Sequence, residues 1–508
     1  MKKIISVLFA IFAFTMPAIA CESNEIDTGS ACIESKFSVT TSETDVFKFT
    51  MSASGTFYID CGNDGILTST ADDVSDKTVV RSNTDNATYT CTWQSADSQT
   101  IHFAGSATGY SSSVYDGCIV FGTRTPNNSV LRPDLITNIS GSLGEIFKSY
   151  GRNDTRYPSF FAVFANANAL TSLPAGLFSG VKTATFLFAF EYCGNLIEIP
   201  ENLFSDLSGQ PVNGAFSYTF HNCVRLQNIP EKLFKGVPYL SYNLFYATFY
   251  GCTALKNIPS GLFSHIKDST ATTNGNAFRD TFSECYRLTS LPEDLFASIT
   301  TAAQGLFQNT FKYCSHITGY IPPSAFRGLI TNNSPTATDM WLDTFSGTQL
   351  DTTCPAGTTE FDTGYKTIWG GKVSCYESTP QTCAAGEYLP RYYDSCAICP
   401  SGSACSGGTY SFNETTNQGI VACASGTFAP TESAVCYPHI LHVGDSNVYL
   451  KSTKQTTPSL NIKIGNDVFY ANMTTERTRM SKDSSHYLHV KTADNIHYYV
   501  CDDTVCPQ

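Results

Sequence analysis

The stretch AFSYTFHNCVRLQNIPEKLF at residues 215–234 is followed by LFYATFYGCTALKNIPSGLF at residues 244–263. Both stretches place two Phe four residues apart, a Cys three residues after the second Phe, and a Leu three residues after the Cys. An Ile-Pro pair and a Leu-Phe pair follow at the same offsets. Because so many positions recur together, these stretches indicate an internal repeat that decides the architecture.

The repeat extends in both directions along the chain. Its Cys recurs at intervals of 30, 29, 33 and 29 residues, at Cys193, Cys223, Cys252, Cys285 and Cys314. A leading unit has Ala167 at this position, and a trailing unit around Trp341 and Phe345 has Thr348. Terminal units that depart from the consensus are typical of the capping units of a repeat array.

The spacing within one unit predicts its local structure. Phe at i and i+4, Cys at i+7 and Leu at i+10 share one face of an α-helix, so a helical stripe is expected. The following Pro ends the helix, and the Leu-x-x-Ile-Pro segment before it predicts a short strand. The apolar residues of one unit are too few to form a core, so neighbouring units are expected to stack.

The repeat resembles the leucine-rich repeats of BspA-like bacterial surface proteins, on its Ala-Phe-x-x-Cys-x-x-Leu and Ile-Pro signatures over about residues 155–350. The resemblance implies a leucine-rich-repeat solenoid and a role in adhesion or other extracellular recognition. The predicted fold class is α+β and multi-domain, a solenoid flanked by other domains. The expected parts are a signal peptide (1–20), a β-sandwich (21–150), the solenoid (155–350), a Cys-rich disulfide module (351–437) and a C-terminal β domain (438–508).

The five cysteines of the repeat are interpreted as a structural ladder. Each lies within the apolar stripe of its unit, with no basic residue placed to activate it. Free Cys is among the most buried residue types, so one buried thiol per unit is expected. A redox switch or a metal stack is the alternative interpretation.

The N-terminal segment alternates apolar and polar residues, with Gly, Asn and Asp between the runs, which predicts a small β-sandwich. The stretch GTFYIDCGNDG at residues 55–65 resembles the strand and turn of PKD-like immunoglobulin-type modules, in which a Trp stands at the position of Cys61. The replacement of that aromatic anchor by Cys implies that Cys61 pairs with another cysteine, such as Cys91.

Eight cysteines lie between Cys354 and Cys436, with many Gly and Pro. A single Cys-x-x-Cys element without a nearby His argues against zinc, so disulfides are expected and no metal or other cofactor is predicted. The segment resembles small disulfide modules of the ephrin-receptor-like, EGF-related type. In the last domain, strand-like alternation predicts β structure closed by a Cys501–Cys506 pair. The disulfide candidates of both segments are Cys383, Cys396, Cys399, Cys405, Cys423, Cys436, Cys501 and Cys506.

The first residues and the overall charge bear on location and partners. Lys2 and Lys3 precede an apolar run and the triplet AIA at 18–20, which predicts a secretory signal peptide. Cys21 then leaves ordinary cleavage and lipidation both open, and no later run is long enough to cross a bilayer. Twenty cysteines favour an oxidising compartment, so a secreted or cell-surface location is expected. The net charge of -13 excludes nucleic acid as a natural partner.

The function expected from these features is recognition of an extracellular protein or glycan by the repeat surface. No catalytic motif occurs, so the chain is not predicted to be an enzyme and no catalytic residue is assigned. An extracellular carbohydrate-active or peptide-cleaving enzyme and a structural layer or stalk protein stay open as alternatives. The candidate binding residues are polar residues next to the predicted strands: Glu198, Gln227, Asn228, Lys256, Asn257, Thr289 and Ser290.

Overall fold

The structure is a computed structural model. It describes residues 21–438 except 63, 125–130, 150–156, 270–273, 332–336, 362–363, 378, 394, 401, 414, 425–426 and 430–431. Beyond residue 438 it describes only the backbone of six strands. The predicted signal peptide and the predicted Cys501–Cys506 pair therefore lie outside the described residues. The chain forms two compact units: Met1–Gly319, Gly328–Leu350 and Thr367–Gly371 in unit 1, and Tyr320–Arg327, Asp351–Lys366 and Lys372–Gln508 in unit 2.

The predicted fold class is wrong. Over the described residues the chain consists mainly of strands in antiparallel sheets, and helix is limited to α1 (Arg327–Thr331), α2 (Tyr365–Ile368) and three short 3₁₀ turns. The 3₁₀ turns are Pro133–Leu135, Leu143–Glu145 and Pro323–Phe326. The repeats contain neither the predicted helix nor a strand in each unit, so the α+β class and the leucine-rich-repeat solenoid are not supported.

Unit 1 begins with strands that form two antiparallel sheets. The six-stranded sheet has the order β12-β3-β10-β5-β8-β7, and the four-stranded sheet has the order β11-β4-β9-β6. A separate hairpin joins β1 to β2. The strands are β1 (Glu25–Asp27), β2 (Cys32–Glu34), β3 (Phe37–Thr41), β4 (Thr44–Met51), β5 (Ser54–Asp60), β6 (Ile66–Ser69), β7 (Val74–Ser75), β8 (Thr78–Arg81), β9 (Ala87–Asp97), β10 (Thr100–Gly109), β11 (Ile119–Val120) and β12 (Ile136–Gly141).

The alternation of β5 explains how these sheets form a core. Every second residue of Ser54–Asp60 is buried, as expected when one face of a strand packs inward. Phe49 of the four-stranded sheet meets Phe103 of the six-stranded sheet edge to face, with ring centroids 5.2 Å apart. Phe121 contacts both rings. Aromatic side chains therefore supply the contact between the sheets.

After the sandwich, the described residues of 158–319 and 328–350 form a series of hydrogen-bonded turns, which we call the turn stack. Phe186 N–H and Phe188 N–H donate to the carbonyls of Ala215 and Ser217 in the next repeat, whereas Ala189 N–H donates three residues back to Phe186. Every second N–H thus joins neighbouring repeats, and the alternate N–H groups close local turns. The last two repeats also share a short parallel pair, β13 (Thr318–Gly319) with β14 (Gln349–Leu350).

Positive φ angles are the physical reason why the predicted helix does not form. Phe188 and Tyr192 have φ of 59°, and Tyr218 and Asn222 have φ of 57°. An α-helix needs negative φ at every residue, so a left-handed residue at every fourth position converts the segment into consecutive turns. Four-residue turns keep the two Phe on one side, as a helix would, and both structures satisfy the same apolar spacing.

The interior of the turn stack consists of aromatic columns. The first Phe of each repeat stacks on its neighbour, as shown by Phe245, Phe278 and Phe307, whose successive ring centroids are 5.6 Å apart. The second Phe forms a parallel column, and a third column comes from the Leu-Phe pair, with Phe234 and Phe263 centroids 5.8 Å apart. The positions predicted to be apolar are therefore the buried ones, although the backbone that holds them is different.

Both ends of the turn stack are covered within unit 1. At the first end Phe121 of the sandwich stacks on Phe164 at 5.5 Å, and Phe121 N–H donates to the carbonyl of Val163. At the other end Trp341 stacks on Phe307, and Trp369 meets Trp341 edge to face. The columns do not end in water, which satisfies the need of a repeat array for closed ends.

Unit 2 consists of short two-stranded antiparallel sheets and four disulfides. Its strands are β15 (Thr358–Glu360), β16 (Cys375–Glu377), β17 (Gln381–Cys383), β18 (Glu387–Tyr388), β19 (Ala397–Ile398), β20 (Ser403–Cys405), β21 (Gly408–Tyr410), β22 (Ile420–Ala422), β23 (Thr427–Phe428), β24 (Tyr437–Pro438), β25 (His442–Val443), β26 (Ser446–Asn447), β27 (Ser459–Ile464), β28 (Asp467–Asn472), β29 (Tyr487–Lys491) and β30 (His497–Cys501). With so little regular structure, disulfides take over part of the stabilisation.

Candidate binding surface of the turn stack

The seven predicted binding residues are all exposed, but the structure groups only three of them. Lys256, Asn257 and Thr289 line one shallow groove of about 370 Å³, together with Arg287 and His316. The others, Glu198, Gln227, Asn228 and Ser290, are exposed outside that lining. We call this feature the basic groove. The guanidinium of Arg287 and the imidazole of His316 were not among the predicted residues.

A second groove, of about 510 Å³, was not predicted from the sequence. We call it the aromatic groove. It is formed by residues one to six positions after the first Phe of each repeat, where the turns with positive φ direct side chains outward. Its lining residues are Tyr192, Tyr218, His221, Asn222, Tyr246, Ala247, Tyr250, Asp280 and Glu284.

His221 lines the aromatic groove and is surrounded by tyrosine rings. Its ring meets those of Tyr192 and Tyr218 edge to face, with centroids 5.3 and 5.2 Å away, and Tyr250 at 5.0 Å. Its Nδ1 is 3.2 Å from Oε1 of the buried Glu191. The other carboxylate oxygen of Glu191 is 3.4 Å from Nε of Arg124. Glu191 thus holds the imidazole in place from behind the groove surface.

Glu284 accepts hydrogen bonds from two tyrosines at the aromatic groove. The hydroxyl of Tyr250 donates to Oε1 of Glu284, and the hydroxyl of Tyr286 donates to Oε2 over 3.1 Å. Burial, and then the hydrogen bond to Glu284, raise the pKa of Tyr250, so its phenol keeps its proton and remains a donor. The carboxylate is therefore a fixed acceptor with two phenol partners.

Asp280 is the second carboxyl of the aromatic groove. Its Oδ2 lies 3.4 Å from Nε of Arg279, whose guanidinium is 5.5 Å from the centre of the Tyr246 ring. Burial raises the pKa of Asp280, although Asn309 and Arg279 act in the opposite direction. The groove thus combines aromatic rings with carboxyl oxygens on adjacent repeats, and these groups supply both apolar faces and hydrogen-bond acceptors.

The ladder cysteines lie in the interior and line neither groove. Cys193, Cys223, Cys252, Cys285 and Cys314 are free and fully buried. Each thiol donates to a Phe carbonyl of the preceding repeat, for example Cys252 Sγ to the carbonyl of Phe220 over 3.2 Å. Burial raises the pKa of Cys193 to about 12, which keeps the reactive thiolate scarce at neutral pH. These contacts match a structural role.

Six disulfides are present among the described residues. Cys61 bonds to Cys91 with an S–S distance of 2.05 Å, and the indole N–H of Trp93 donates to the carbonyl of Cys61. In unit 2 the pairs are Cys354–Cys375, Cys383–Cys396, Cys399–Cys405 and Cys423–Cys436. The sixth pair, Cys21–Cys32, was not predicted. A sulfur in that bond cannot carry a thioether-linked lipid, so the disulfide and the lipidated alternative exclude each other.

Among the described residues, one group of three potential ligands occurs, Cys21, Glu25 and Cys32, and its two sulfurs are joined in the disulfide. A disulfide sulfur is not the thiolate that metal binding needs. Within the same part of the chain, no helix has the length and apolar character that crossing a membrane requires.

Comparison with known proteins identifies no relative. The sequence matches no protein-family model, and neither a curated protein nor a solved structure matches the chain. The function must therefore be inferred from the surface chemistry of this chain.

Proposed function

We propose that this protein is an extracellular recognition protein that binds a glycan in the aromatic groove. The observation that carries the proposal is the set of three tyrosine rings around His221, one of which, Tyr250, donates its hydroxyl to the carboxylate of Glu284. Sugars present apolar C–H faces and hydroxyl donors together, and a groove of aromatic faces and carboxyl acceptors complements both.

The organisation of the groove supports binding with little rearrangement. Its side chains come from turns that are hydrogen-bonded to each other and stand on the buried aromatic columns. Tyr250 and Glu284 restrain each other, and Glu191 restrains His221. Pre-organised polar groups lose less side-chain entropy on binding than free ones. A site on this rigid scaffold therefore suits a carbohydrate, whose individual contacts are weak.

Two features outside the groove agree with an extracellular role. Six disulfides fit an oxidising, extracellular environment. The repeat sequence resembles that of BspA-like surface proteins, which implies recognition of host or microbial partners. Neither feature selects a ligand, so the glycan proposal depends on the groove itself.

The test is binding of the secreted full-length chain to an array of neutral and acidic glycans, with Tyr192→Ala, Glu284→Gln and the control Tyr313→Ala. Tyr192 is 39% exposed and Tyr313 is 49% exposed, so neither replacement should disturb the core. We expect Tyr192→Ala and Glu284→Gln to weaken binding at least about tenfold, the equivalent of one strong contact, and Tyr313→Ala to bind as the wild type does. Equal binding by all variants would overturn the proposal. Self-association without any glycan binding would favour the structural alternative instead.

A further inference from the structure

The basic groove carries cationic groups on a chain that is acidic overall. Lys256 and Arg287 are its cations and are exposed at its rim beside the imidazole of His316, although Asp and Glu outnumber Lys and Arg by 44 to 31. Arg287 and His316 both lie two residues after the ladder Cys of their repeats, and Lys256 comes from the repeat before them. Stacking of the repeats, in which successive rings of one column are 5.6 Å apart, brings the three together.

The charges of this groove are not neutralised by the described part of the protein. Several other cations have carboxylate partners, such as Lys312 with Asp343 at 2.8 Å and Lys232 with Glu201 at 3.5 Å. No described carboxylate forms an ion pair with Lys256, Arg287 or His316. Unpaired cations that converge on one concave surface create a local positive potential, which attracts an anion.

The imidazole of His316 is oriented by the backbone. Its Nδ1 hydrogen-bonds to the carbonyl of Tyr286 in the preceding repeat. Because a carbonyl only accepts, Nδ1 carries the proton of that bond. Tyr286 also donates to Glu284 through its hydroxyl, so this residue stands between the basic and aromatic grooves. Asn257 and Thr289 add an amide and a hydroxyl to the lining.

We propose that the basic groove binds the carboxylate or sulfate groups of an acidic glycan. The ammonium and guanidinium groups match the anionic substituents, and the amide and hydroxyl match the sugar hydroxyls. The net charge of -13 opposes a nucleic acid, whose dense phosphates need many clustered cations. An acidic peptide would need a strand edge or apolar side-chain pockets, and the five lining residues are all polar. This site functions independently of the aromatic groove.

The experiment measures binding of the full-length chain to heparin, as the sulfated probe, and to polygalacturonate, as the carboxylated probe, with dextran and duplex DNA alongside. The variant is Lys256→Glu/Arg287→Glu. Its matched control is Lys232→Glu/Lys235→Glu, which changes the net charge equally at two other exposed lysines. We expect the groove variant to weaken binding to the acidic glycan at least tenfold and the control to weaken it less than twofold. The wild-type affinity should fall as salt rises, because screening weakens exposed charge pairs.

The two glycan probes separate the two sources of negative charge, and preference for either supports the proposal. Equal losses in the groove variant and its control would overturn it, since only overall charge would then matter. Duplex DNA binding as tightly as the acidic glycan, or failure of both acidic glycans to bind, would overturn it too. Dextran carries no charge, so Lys256→Glu/Arg287→Glu should bind it as the wild type does. Loss of the acidic glycan with dextran binding retained therefore distinguishes this site from the aromatic groove, whereas wild-type protein that binds acidic glycan but no neutral glycan points to failure of the aromatic groove alone.

Discussion

The β-sandwich and the turn stack use cysteine in opposite ways. In the sandwich, a disulfide joins Cys61, directly after β5 of the six-stranded sheet, to Cys91 in β9 of the four-stranded sheet, 30 residues apart in sequence. In the turn stack, Cys193 to Cys314 stay free, and each thiol bonds to the repeat before it. The sandwich depends on a covalent link between distant segments, whereas the turn stack repeats a short-range contact. The same chain therefore contains disulfides and also reduced thiols, which are kept where each thiol fits a buried column.

The buried hydrogen bonds of the two regions also differ, because one involves charged groups and the other neutral hydroxyls. In the sandwich, the guanidinium of Arg81 lies 2.9 Å from both Asp72 and the hydroxyl of Tyr89, which form a single ionic cluster. In the turn stack, a column of Thr hydroxyls repeats one neutral bond, as from Thr248 to the carbonyl of Phe216 over 2.8 Å. Neutral hydrogen bonds between adjacent repeats avoid the desolvation cost of buried charge, so each repeat can add one of them.

The largest expected effect is loss of one ring from a column. Phe278→Ala removes a fully buried ring that stacks on Phe245 and Phe307. We expect a loss of about 3–5 kcal/mol in the free energy of unfolding, because the cavity lies between rigid neighbours. Urea unfolding followed by circular dichroism measures it. Tyr313→Ala, at an exposed ring, should cost less than about 0.5 kcal/mol, and equal losses would show that the columns do not carry the stability.

Next comes the covalent link of the sandwich. Cys61→Ala/Cys91→Ala should lower the stability of the sandwich by about 2–4 kcal/mol, because the disulfide restricts the unfolded chain. Hydrogen exchange read separately over residues 37–141 and 215–313 checks whether the effect stays in the sandwich. Faster exchange of equal size in both segments would contradict the contrast between a local tie and a repeated contact.

A smaller effect is expected at the thiol ladder. Cys252→Ala removes one bond to the Phe220 carbonyl and should cost about 1 kcal/mol in thermal or urea unfolding. Burial raises the pKa of this thiol, so iodoacetamide at neutral pH should label the ladder only after unfolding. Mass spectrometry of the alkylated chain counts the labelled thiols. Rapid labelling of Cys252 in the native protein would contradict the buried packing role of the ladder thiols, since an accessible thiol is not part of the core.

The smallest effect concerns pH. The folded-state pKa of Asp280 lies above its usual value because of burial, so the folded protein holds this proton more tightly than the unfolded chain does. Stability therefore falls as pH rises through the interval between the two pKa values, and stays reduced above it. Asp280→Asn removes this penalty, so we expect a small gain in stability at pH 7 and none at low pH. Thermal unfolding at both pH values tests it, and a loss of stability at pH 7 would contradict the prediction.

The spacing of apolar residues in the sequence was enough to predict which residues are buried in the turn stack and how often they recur. Phe186, Phe190, Cys193 and Leu196 are all fully buried, as their spacing predicts. This information is local, because apolar side chains that recur at a fixed interval pack against each other to avoid water. The number of cysteines likewise indicated disulfides before any pairing was known.

The backbone conformation of the repeats and the two grooves depend on tertiary contacts that the sequence pattern does not reveal. Spacing of four residues fits a helix and a series of four-residue turns equally well, and the hydrogen bonds between repeats select the turns. Asn243 and Asn276 at positive φ give a sequence signal for turns, but Tyr218 and Phe188 at positive φ conceal it. Tyr192, Tyr250 and Glu284 come from three different repeats, so no local pattern could bring them together. Stacking places them side by side because each repeat satisfies its backbone on the next.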